Sequence, residues 1–344
     1  MATATQLTTF SDLYTDLQNR TREDTSQTAT ENQAKRYINI GLHDMHLGFA
    51  ENFSWAERSA VLVTHDDYTT GTVAIDVSTS RTAVTGTSTA WDTLNDYGFK
   101  NVRAGGKIVF SGENNVYEVS AVGSDTALTL ASQYVGADDL SGDSYTYYED
   151  EYALASDYLR PIDMQQFSDG IPIELIGRTE FRRRFPRNNV PGTPCVGTII
   201  DKPFASNTTP VRKIRLAHPP DDVYSIPYSY VTSNLAVQSD GTAATQLVND
   251  TDEPIVPLRY RHAILFHALY HWYRDKKNDT RSQEVKAEYT DIMLRVAGDT
   301  EIGGRRPQIR PKIGTYVRRA SRPWSGGGGR YDINDRFDRL EDMR

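Results

Sequence analysis

The sequence predicts an α+β protein in which a four-helix body is built from N- and C-terminal helices. Antiparallel β extensions and an insert lie between those helices, and an extended C-terminal arm follows them. Apolar residues recur at helical spacing near both chain ends, alternate with polar residues from about 72 to 148, and are interrupted by many prolines from 152 to 235. These patterns indicate amphipathic helices, half-buried strands, and edge strands with loops, respectively.

The predicted N-terminal helices occupy residues 1–64. Ser11 is a suitable N-cap for a short helix that ends near Arg22. A second helix, from Thr30 or Glu31, presents one apolar stripe, which consists of Ala34, Tyr37, Ile38, Gly41, Leu42 and Met45. A strand is expected at residues 58–63, where β-branched residues are frequent.

An acidic block follows at residues 65–151, with 14 Asp and Glu against four Lys and Arg. Short alternating segments separated by turn residues predict a small inserted β-barrel or sandwich domain. Residues 152–253 are predicted to be a β-rich, proline-rich extension. Residues 254–300 are predicted to hold the C-terminal helices, with Pro257 in a first turn and Gly298 at the end of the last helix.

Composition restricts the class of protein. The 344 residues carry a net charge of −8, and the single cysteine, Cys195, excludes an intrachain disulfide and a cysteine-based metal cage. The first residues lack a signal-peptide pattern, and no stretch approaches the roughly 20 apolar residues that span a bilayer. We therefore expect a protein made in the cytoplasm, with no membrane partner.

Three histidines on one predicted helix are the nearest approach to a metal cluster: His262, His267 and His271. The last two have the i, i+4 spacing of HExxH, but the general-base Glu is missing and no third ligand is apparent. We expect structural or interface histidines and no metal, with a metal-dependent hydrolase as an alternative.

No other pattern predicts an enzyme or a cofactor. The glycine run at 326–329 lacks the Lys-Ser/Thr of a phosphate loop and is interpreted as a hinge. Paired carboxylates such as Asp66 and Asp67 lie in turn-like contexts, where Asp is common for conformational reasons. We expect no catalytic residues.

A cluster of arginine and aromatic residues in the β-rich extension has the composition of an interface. Its members are Arg178, Phe181, Arg182, Arg183, Arg184, Phe185 and Arg187. The alternatives are a solvated strand or loop paired with nearby carboxylates, a second protein interface, and a nucleic-acid contact.

The C-terminal arm, residues 301–344, has 11 Lys and Arg against 6 Asp and Glu, so its net charge is +5 while the preceding residues carry −13. A segment with so few apolar groups cannot offset its ordering entropy alone, so we expect it to become ordered on a partner. Its candidate binding residues are Arg305, Arg306, Arg310, Lys312, Tyr316, Arg318, Arg319, Arg322 and Trp324.

Several segments together resemble the head–tail adaptor (connector) proteins of tailed bacteriophages. The N-terminal helix QAKRYINIGLHDM (33–45) with NFSW (52–55) is similar to the start of that family. YALASDYLRPI (152–162) resembles its Y-x-L-P-x-D turn and R-P-I strand, although Ala155 replaces the usual proline. DEPIVP (252–257) before YRHAI (260–264) resembles its D-x-P-x-x-P helix entrance, and TGTSTAW (85–91) resembles the opening of an inserted phage β-domain.

The resemblance implies a virion structural protein that forms a homo-oligomeric ring, expected to be a dodecamer, in the neck between the portal and the tail. The ring continues the DNA channel without binding DNA specifically and contacts tail, tail-tube or nozzle proteins. Spikes or fibres are expected at the acidic β-domain. In this family the C-terminal segment commonly docks on the portal protein. The alternatives are another tail or baseplate component and a nucleic-acid-binding protein that uses the arginine-rich arm.

Overall fold

The computed structural model describes residues 6–23, 27–47, 53–164, 172–202 and 211–300. Residues 1–297 form one unit, and the packing discussed below lies within it. The described residues contain five α-helices and several antiparallel sheets, which confirms the α+β class. The helices are α1 (Phe10–Thr21), α2 (Thr28–Leu47), α3 (Arg178–Arg184), α4 (His262–Asp275) and α5 (Asp279–Thr300).

Helix α1 begins two residues earlier than the sequence predicts. Thr9, not Ser11, is the N-cap, and it forms a capping box with Asp12. The Asp12 amide donates to Thr9 Oγ1 over 3.3 Å, and the Thr9 amide donates to Asp12 Oδ2 over 2.9 Å. The pair satisfies two amides that have no partner inside the helix. The predicted end near Arg22 is confirmed, since Arg22 is the left-handed C-cap.

Helices from both chain ends share one hydrophobic core. The predicted stripe of α2 is buried there, and α5 contributes Val285, Tyr289, Met293 and Val296. Helix α1 adds Leu13 and Leu17, and α4 adds Ile264, Leu265 and Leu269. The prediction that Gly298 ends the last helix is wrong, because α5 continues to Thr300. A single glycine lowers helix propensity by only about 1 kcal/mol, which does not by itself terminate a helix.

The acidic block forms a curled, half-barrel sheet with the order β7-β2-β3-β6-β5-β4-β8. The Trp91 indole fills its core and donates to the Tyr145 hydroxyl over 2.8 Å. Its strands are β2 (Thr72–Ile75), β3 (Ala83–Thr87), β4 (Lys107–Phe110), β5 (Tyr117–Ser124), β6 (Ala127–Leu130), β7 (Leu140–Asp143) and β8 (Tyr145–Tyr148).

Two further sheets enclose a third core, which includes Leu62, Ile214 and Ile226. The first has the order β1-β14-β10, from β1 (Glu57–Val63), β10 (Tyr158–Met164) and β14 (Ser225–Thr232). The second has the order β11-β12-β13-β9, from β9 (Glu151–Ala153), β11 (Glu174–Leu175), β12 (Val196–Lys202) and β13 (Val211–Ala217). A small sheet joins β15 (Ala236–Val237), β16 (Ala243–Ala244) and β17 (Glu253–Pro254).

Among the described residues of the extension, the prolines lie on edge strands or in loops, as predicted, except for Pro227. Pro161 lies on edge strand β10, at a register shift. Pro227 lies on the central strand β14, where it pairs with Val61. On the other side of β14, the pairing that the described part of β10 makes ends at Met164–Tyr228, next to Pro227. A proline on a central strand departs from the edge-strand pattern.

Candidate functional site

Helices α2 and α4 lie close together at Gly41. A Cβ atom built on Gly41 would lie 2.9 Å from the Ile264 carbonyl oxygen and 3.5 Å from Cβ of His267. Only glycine allows this distance without displacing backbone, because Cβ contacts below about 3 Å are repulsive. The close approach brings the next turn of α2, which carries Asp44, against the histidine face of α4.

Asp44 lies between two histidines of α4. Its Oδ2 atom is 3.6 Å from His267 Nε2 and 3.5 Å from His271 Nε2. The three residues can each offer one ligand atom, all within 4.8 Å of one another. The two imidazoles share a face because residues four apart lie one above the other on a helix. Asp44, which is 223 residues distant in sequence from His267, completes the cluster.

The cluster contains buried polar atoms without partners. His267 Nδ1 and His271 Nε2 are buried and make no hydrogen bond. The two histidine side chains are about nine-tenths buried, with 11% and 12% exposure, whereas Asp44 is 45% exposed. Most buried polar atoms in proteins have a partner, so His271 Nε2, which faces Asp44, marks a place where a polar group is missing. His267 faces Asp44 with Nε2, and its unpartnered Nδ1 is the other ring nitrogen.

Burial keeps both imidazoles neutral. It lowers the pKa of His267 to about 4, with a further contribution from His271. Burial also lowers the pKa of His271, and the positive charge of Arg274 acts in the same direction. Asp44 opposes both shifts but does not reverse them. At neutral pH each ring therefore has one nitrogen with a free lone pair.

An open groove of about 430 Å³ adjoins the cluster. Asn39 lines the groove and is fixed by two hydrogen bonds to the backbone of Leu247. Its side-chain nitrogen donates to the Leu247 carbonyl over 3.0 Å, and its side-chain oxygen accepts from the Leu247 amide over 3.0 Å. The groove gives solvent access to the Asp44 carboxylate. Its lining residues are Arg36, Asn39, Ile40, His43, Asp44, Leu235, Thr245 and Gln246.

The structure separates the three histidines that the sequence grouped together. His262 is the first residue of α4 and does not belong to the cluster. The third member, Asp44, has no signal in the sequence around the histidines, because it comes from α2. The sequence signal that could have located it is Gly41, a glycine within a helical stripe, which often marks a close helix contact.

The predicted arginine-aromatic interface is partly helical, which differs from the expected strand or loop. Phe181 is 1% exposed and packs against Val196 and Ala217. The Arg215 guanidinium lies 5.7 Å from the centre of its ring. Phe181 therefore anchors α3 to its own chain and does not present its ring to a partner. Phe185 is half-buried beside His218.

The arginines of this segment remain accessible. The exposed residues are Arg178, Arg182, Arg183, Arg184 and Arg187. Arg184 pairs with Glu180 over 2.5 Å, and it lies 3.8 Å from Glu174. The segment thus presents guanidinium groups at the surface, and the interface stays a prediction. The candidate arm residues, from Arg305 to Trp324, lie outside the described residues.

Two residues of the DEPIVP–YRHAI segment, Arg261 and Asp252, bind the start of helix α1. Arg261 is 7% exposed. Its guanidinium donates to the carbonyl oxygens of Val256, Pro254 and Thr8. The backbone carbonyl of Asp252 accepts from the Phe10 amide over 2.8 Å. The start of α1 is therefore fixed to the entrance of α4.

A second buried polar cluster lies where the chain leaves the half-barrel sheet. Asp150 is 1% exposed and accepts from Lys107 Nζ, Arg215 Nε and Asn188 Nδ2 over 2.7, 2.8 and 3.1 Å. The adjacent Glu149 accepts two hydrogen bonds from Arg103, at 2.8 and 2.6 Å, and one from the Tyr147 hydroxyl at 2.6 Å. These contacts join the half-barrel to the β9–β13 sheet.

Within the described ranges, no helix is both long enough and apolar enough to cross a membrane. No protein-family model matches the chain, and a comparison with curated proteins finds no significant match.

Proposed function

We propose that the protein is a virion structural protein: a head–tail adaptor that forms a homo-oligomeric ring below the portal. The ring continues the DNA channel and offers the attachment surface for the tail. It acts in the neck of the virion, as a structural component and not as an enzyme.

One observation carries this proposal: helices from the two chain ends share one core, and the sheets are inserted between them. Residues of the segments that resemble the adaptor family make this arrangement. Arg261 fixes the start of α1 to the entrance of α4, and Gly41 allows α2 to approach α4. When helices from the N- and C-terminal parts of the chain form one core, the β-sheets inserted between them can change without altering that core.

An exposed edge strand supports assembly with other copies. Strand β1 is at the edge of its three-stranded sheet and pairs with β14 on one side. It exposes Val61 at 59% and Val63 at 40%. Open edges with apolar side chains invite pairing with another chain. In a ring, one face of each subunit contacts a different face of the next, and rotation closes the assembly.

The charge distribution supports the channel and portal parts of the proposal. Residues 1–300 have a net charge of −13, and the arm has +5. Acidic surface repels DNA phosphates, so a genome passing through the channel would not adhere to it. The arm is proposed to fold along the portal, with its guanidinium groups paired to portal carboxylates. Trp324 would be the main apolar anchor.

The test compares the full chain with a variant that lacks residues 302–344. Native mass spectrometry and negative-stain microscopy would show whether each forms rings, and pull-down with assembled portal would show binding. We expect both to fold and only the full chain to bind portal. Equal portal binding by the truncated chain would refute the arm's role.

A monomer at every concentration, alone and with portal, would refute the adaptor function. DNA affinity that falls steeply with salt would instead favour a nucleic-acid-binding protein.

A further inference from the structure

We propose that Asp44, His267 and His271 form a binding site for one divalent transition-metal ion, with zinc as the best match. The site lies between α2 and α4, so the ion would link a helix from the N-terminal part of the chain to one from the C-terminal part.

The ligand types suit such an ion. Two imidazole nitrogens and one carboxylate oxygen are a ligand set that zinc uses when a fourth position is left for water or another group. Imidazole favours transition metals over calcium and magnesium, which prefer oxygen ligands alone. The cluster is therefore selective for the class of ion that we propose.

The spacing agrees with one shared ion. Ligand atoms bound to one tetrahedral zinc at its usual bond lengths lie about 3.4 Å apart. Asp44 Oδ2 lies 3.6 Å from His267 Nε2 and 3.5 Å from His271 Nε2. These separations are longer than good hydrogen bonds but close to those between two ligands of one ion. The ligand atoms of all three residues lie within 4.8 Å of one another, so the two imidazoles would have to adjust to reach tetrahedral spacing around one ion.

The unpartnered nitrogen points to a missing group. His271 Nε2, the atom that faces Asp44, is buried without a hydrogen bond. A metal ion at this place would bind its lone pair and remove the cost of burying it unpaired. The ring of Tyr289 packs on His267 with 4.6 Å between ring centres and limits its movement. One of the two histidine ligands is thus already oriented.

Charged neighbours do not exclude a cation. Arg274 and Lys286 raise the positive potential at His267. The charged groups of Arg274 and Lys286 lie over the Tyr270 ring, 5.5 and 5.7 Å from the ring centre. Asp44 supplies a negative charge inside the cluster, and Asp275 adds another close to His271. The exposed side of Asp44, on the groove, provides a path for the ion.

The experiment uses the full chain without a polyhistidine tag, treated with a chelator and then dialysed. Co²⁺ serves as a visible-absorption probe, and Zn²⁺ is titrated against it in competition. The ligand variants are Asp44→Asn and His271→Gln, and the matched control is His262→Gln, which changes a histidine of the same helix outside the cluster. Thermal melts without metal show whether each variant is folded.

We expect one Co²⁺ per chain, displaced by one Zn²⁺, in the unmodified chain and in the control. Loss of a second-layer partner typically weakens metal binding 10- to 100-fold, so loss of a ligand should weaken it by at least about 100-fold. Metal should raise the melting temperature of the unmodified chain and leave that of Asp44→Asn unchanged.

The proposal is overturned if the chain binds no metal, or if Asp44→Asn and His271→Gln bind it as tightly as the unmodified chain. It is also overturned if His262→Gln loses binding to the same degree. Asp44 is half exposed, so its variant should fold and give a clear result even if His271→Gln does not. None of these outcomes depends on ring formation or portal binding.

Discussion

Two buried polar clusters in this protein differ in how completely their polar atoms are paired. At the exit from the half-barrel, Asp150 and Glu149 receive hydrogen bonds from two arginines, a lysine, an asparagine and a tyrosine. Between α2 and α4, two histidine nitrogens have no partner and the carboxylate is 3.5 Å or more away. We call the Asp150–Glu149 cluster saturated, because its carboxylates are fully paired, and expect it to stabilise the fold. We call the Asp44–His267–His271 cluster unsaturated, because it has room for another polar group.

The largest expected effect comes from breaking the saturated cluster. Asp150→Asn would remove the buried counter-charge of Arg215 and the nearer of the two carboxylates beside Lys107, whose other is Glu151 at 3.5 Å. We expect the free energy of unfolding to fall by about 3–5 kcal/mol, the usual cost of removing one partner from a buried pair. Urea denaturation measures this loss.

The matched control for that measurement is Asp138→Asn, at an exposed position of the same acidic block. Its effect should stay within about 0.5 kcal/mol. Equal effects at the two positions would show that pairing is not what makes the exit cluster important.

A smaller effect is expected from overfilling the contact that creates the unsaturated cluster. Gly41→Ala would place a methyl group 2.9 Å from the Ile264 carbonyl oxygen. Overpacking costs about 1–3 kcal/mol, and the gain in helix propensity offsets about 1 kcal/mol of it. We expect a net loss of up to about 2 kcal/mol in thermal or urea unfolding.

Gly123→Ala is the control for adding a methyl group. Its new Cβ would meet no atom closer than the Ala127 carbonyl oxygen, at 3.6 Å. A change in Gly41→Ala no larger than in this control would mean that α2 and α4 can separate freely. Metal binding at Asp44 should weaken in Gly41→Ala for the same geometric reason.

A substitution at Asp252 would show whether hydrogen bonds to a buried carboxylate stabilise the helical body as they do at the exit from the half-barrel. Burial would raise the pKa of its carboxyl, but hydrogen bonds from the amides of Val248 and Asn249 hold that pKa below its usual value. The carboxylate therefore stabilises the fold above its unfolded-state pKa, and the contribution is lost as pH falls through the lower folded-state pKa.

Asp252→Asn should cost about 1 kcal/mol at neutral pH, since a charged acceptor is replaced by a neutral one. The difference from the unmodified chain should shrink as the pH is lowered through the titration of this carboxyl. A difference that is constant with pH in urea melts would exclude the charge as the cause.

The smallest effect is expected at the unsaturated cluster without metal. Asp44→Asn removes only long contacts to the histidines, of 3.5 and 3.6 Å, and the Asp44 side chain is half exposed. Its free energy of unfolding in chelator should change by no more than about 0.5 kcal/mol. A loss of several kcal/mol would mean that the cluster already stabilises the fold through its own charges, which would remove its contrast with Asp150.

Local periodicity in the sequence was sufficient for the fold class and for most helices and strands. The stripe from Ala34 to Met45 predicted α2, and alternation predicted the strands of the half-barrel. It failed at α3, where charged residues gave no helical stripe because a single residue, Phe181, holds the helix to the core. The domain boundaries and the arm stay predictions.

The tertiary structure alone decided which polar residues meet. The i, i+4 spacing of His267 and His271 was visible in the sequence because it depends on helix geometry. Asp44 joined them only when α2 packed on α4 at Gly41, and Lys107 and Arg215 met at Asp150 only through sheet pairing. Such contacts form between segments that are far apart in the sequence, and they require large loops to close. The local spacing of apolar residues carries no information about which distant segments meet.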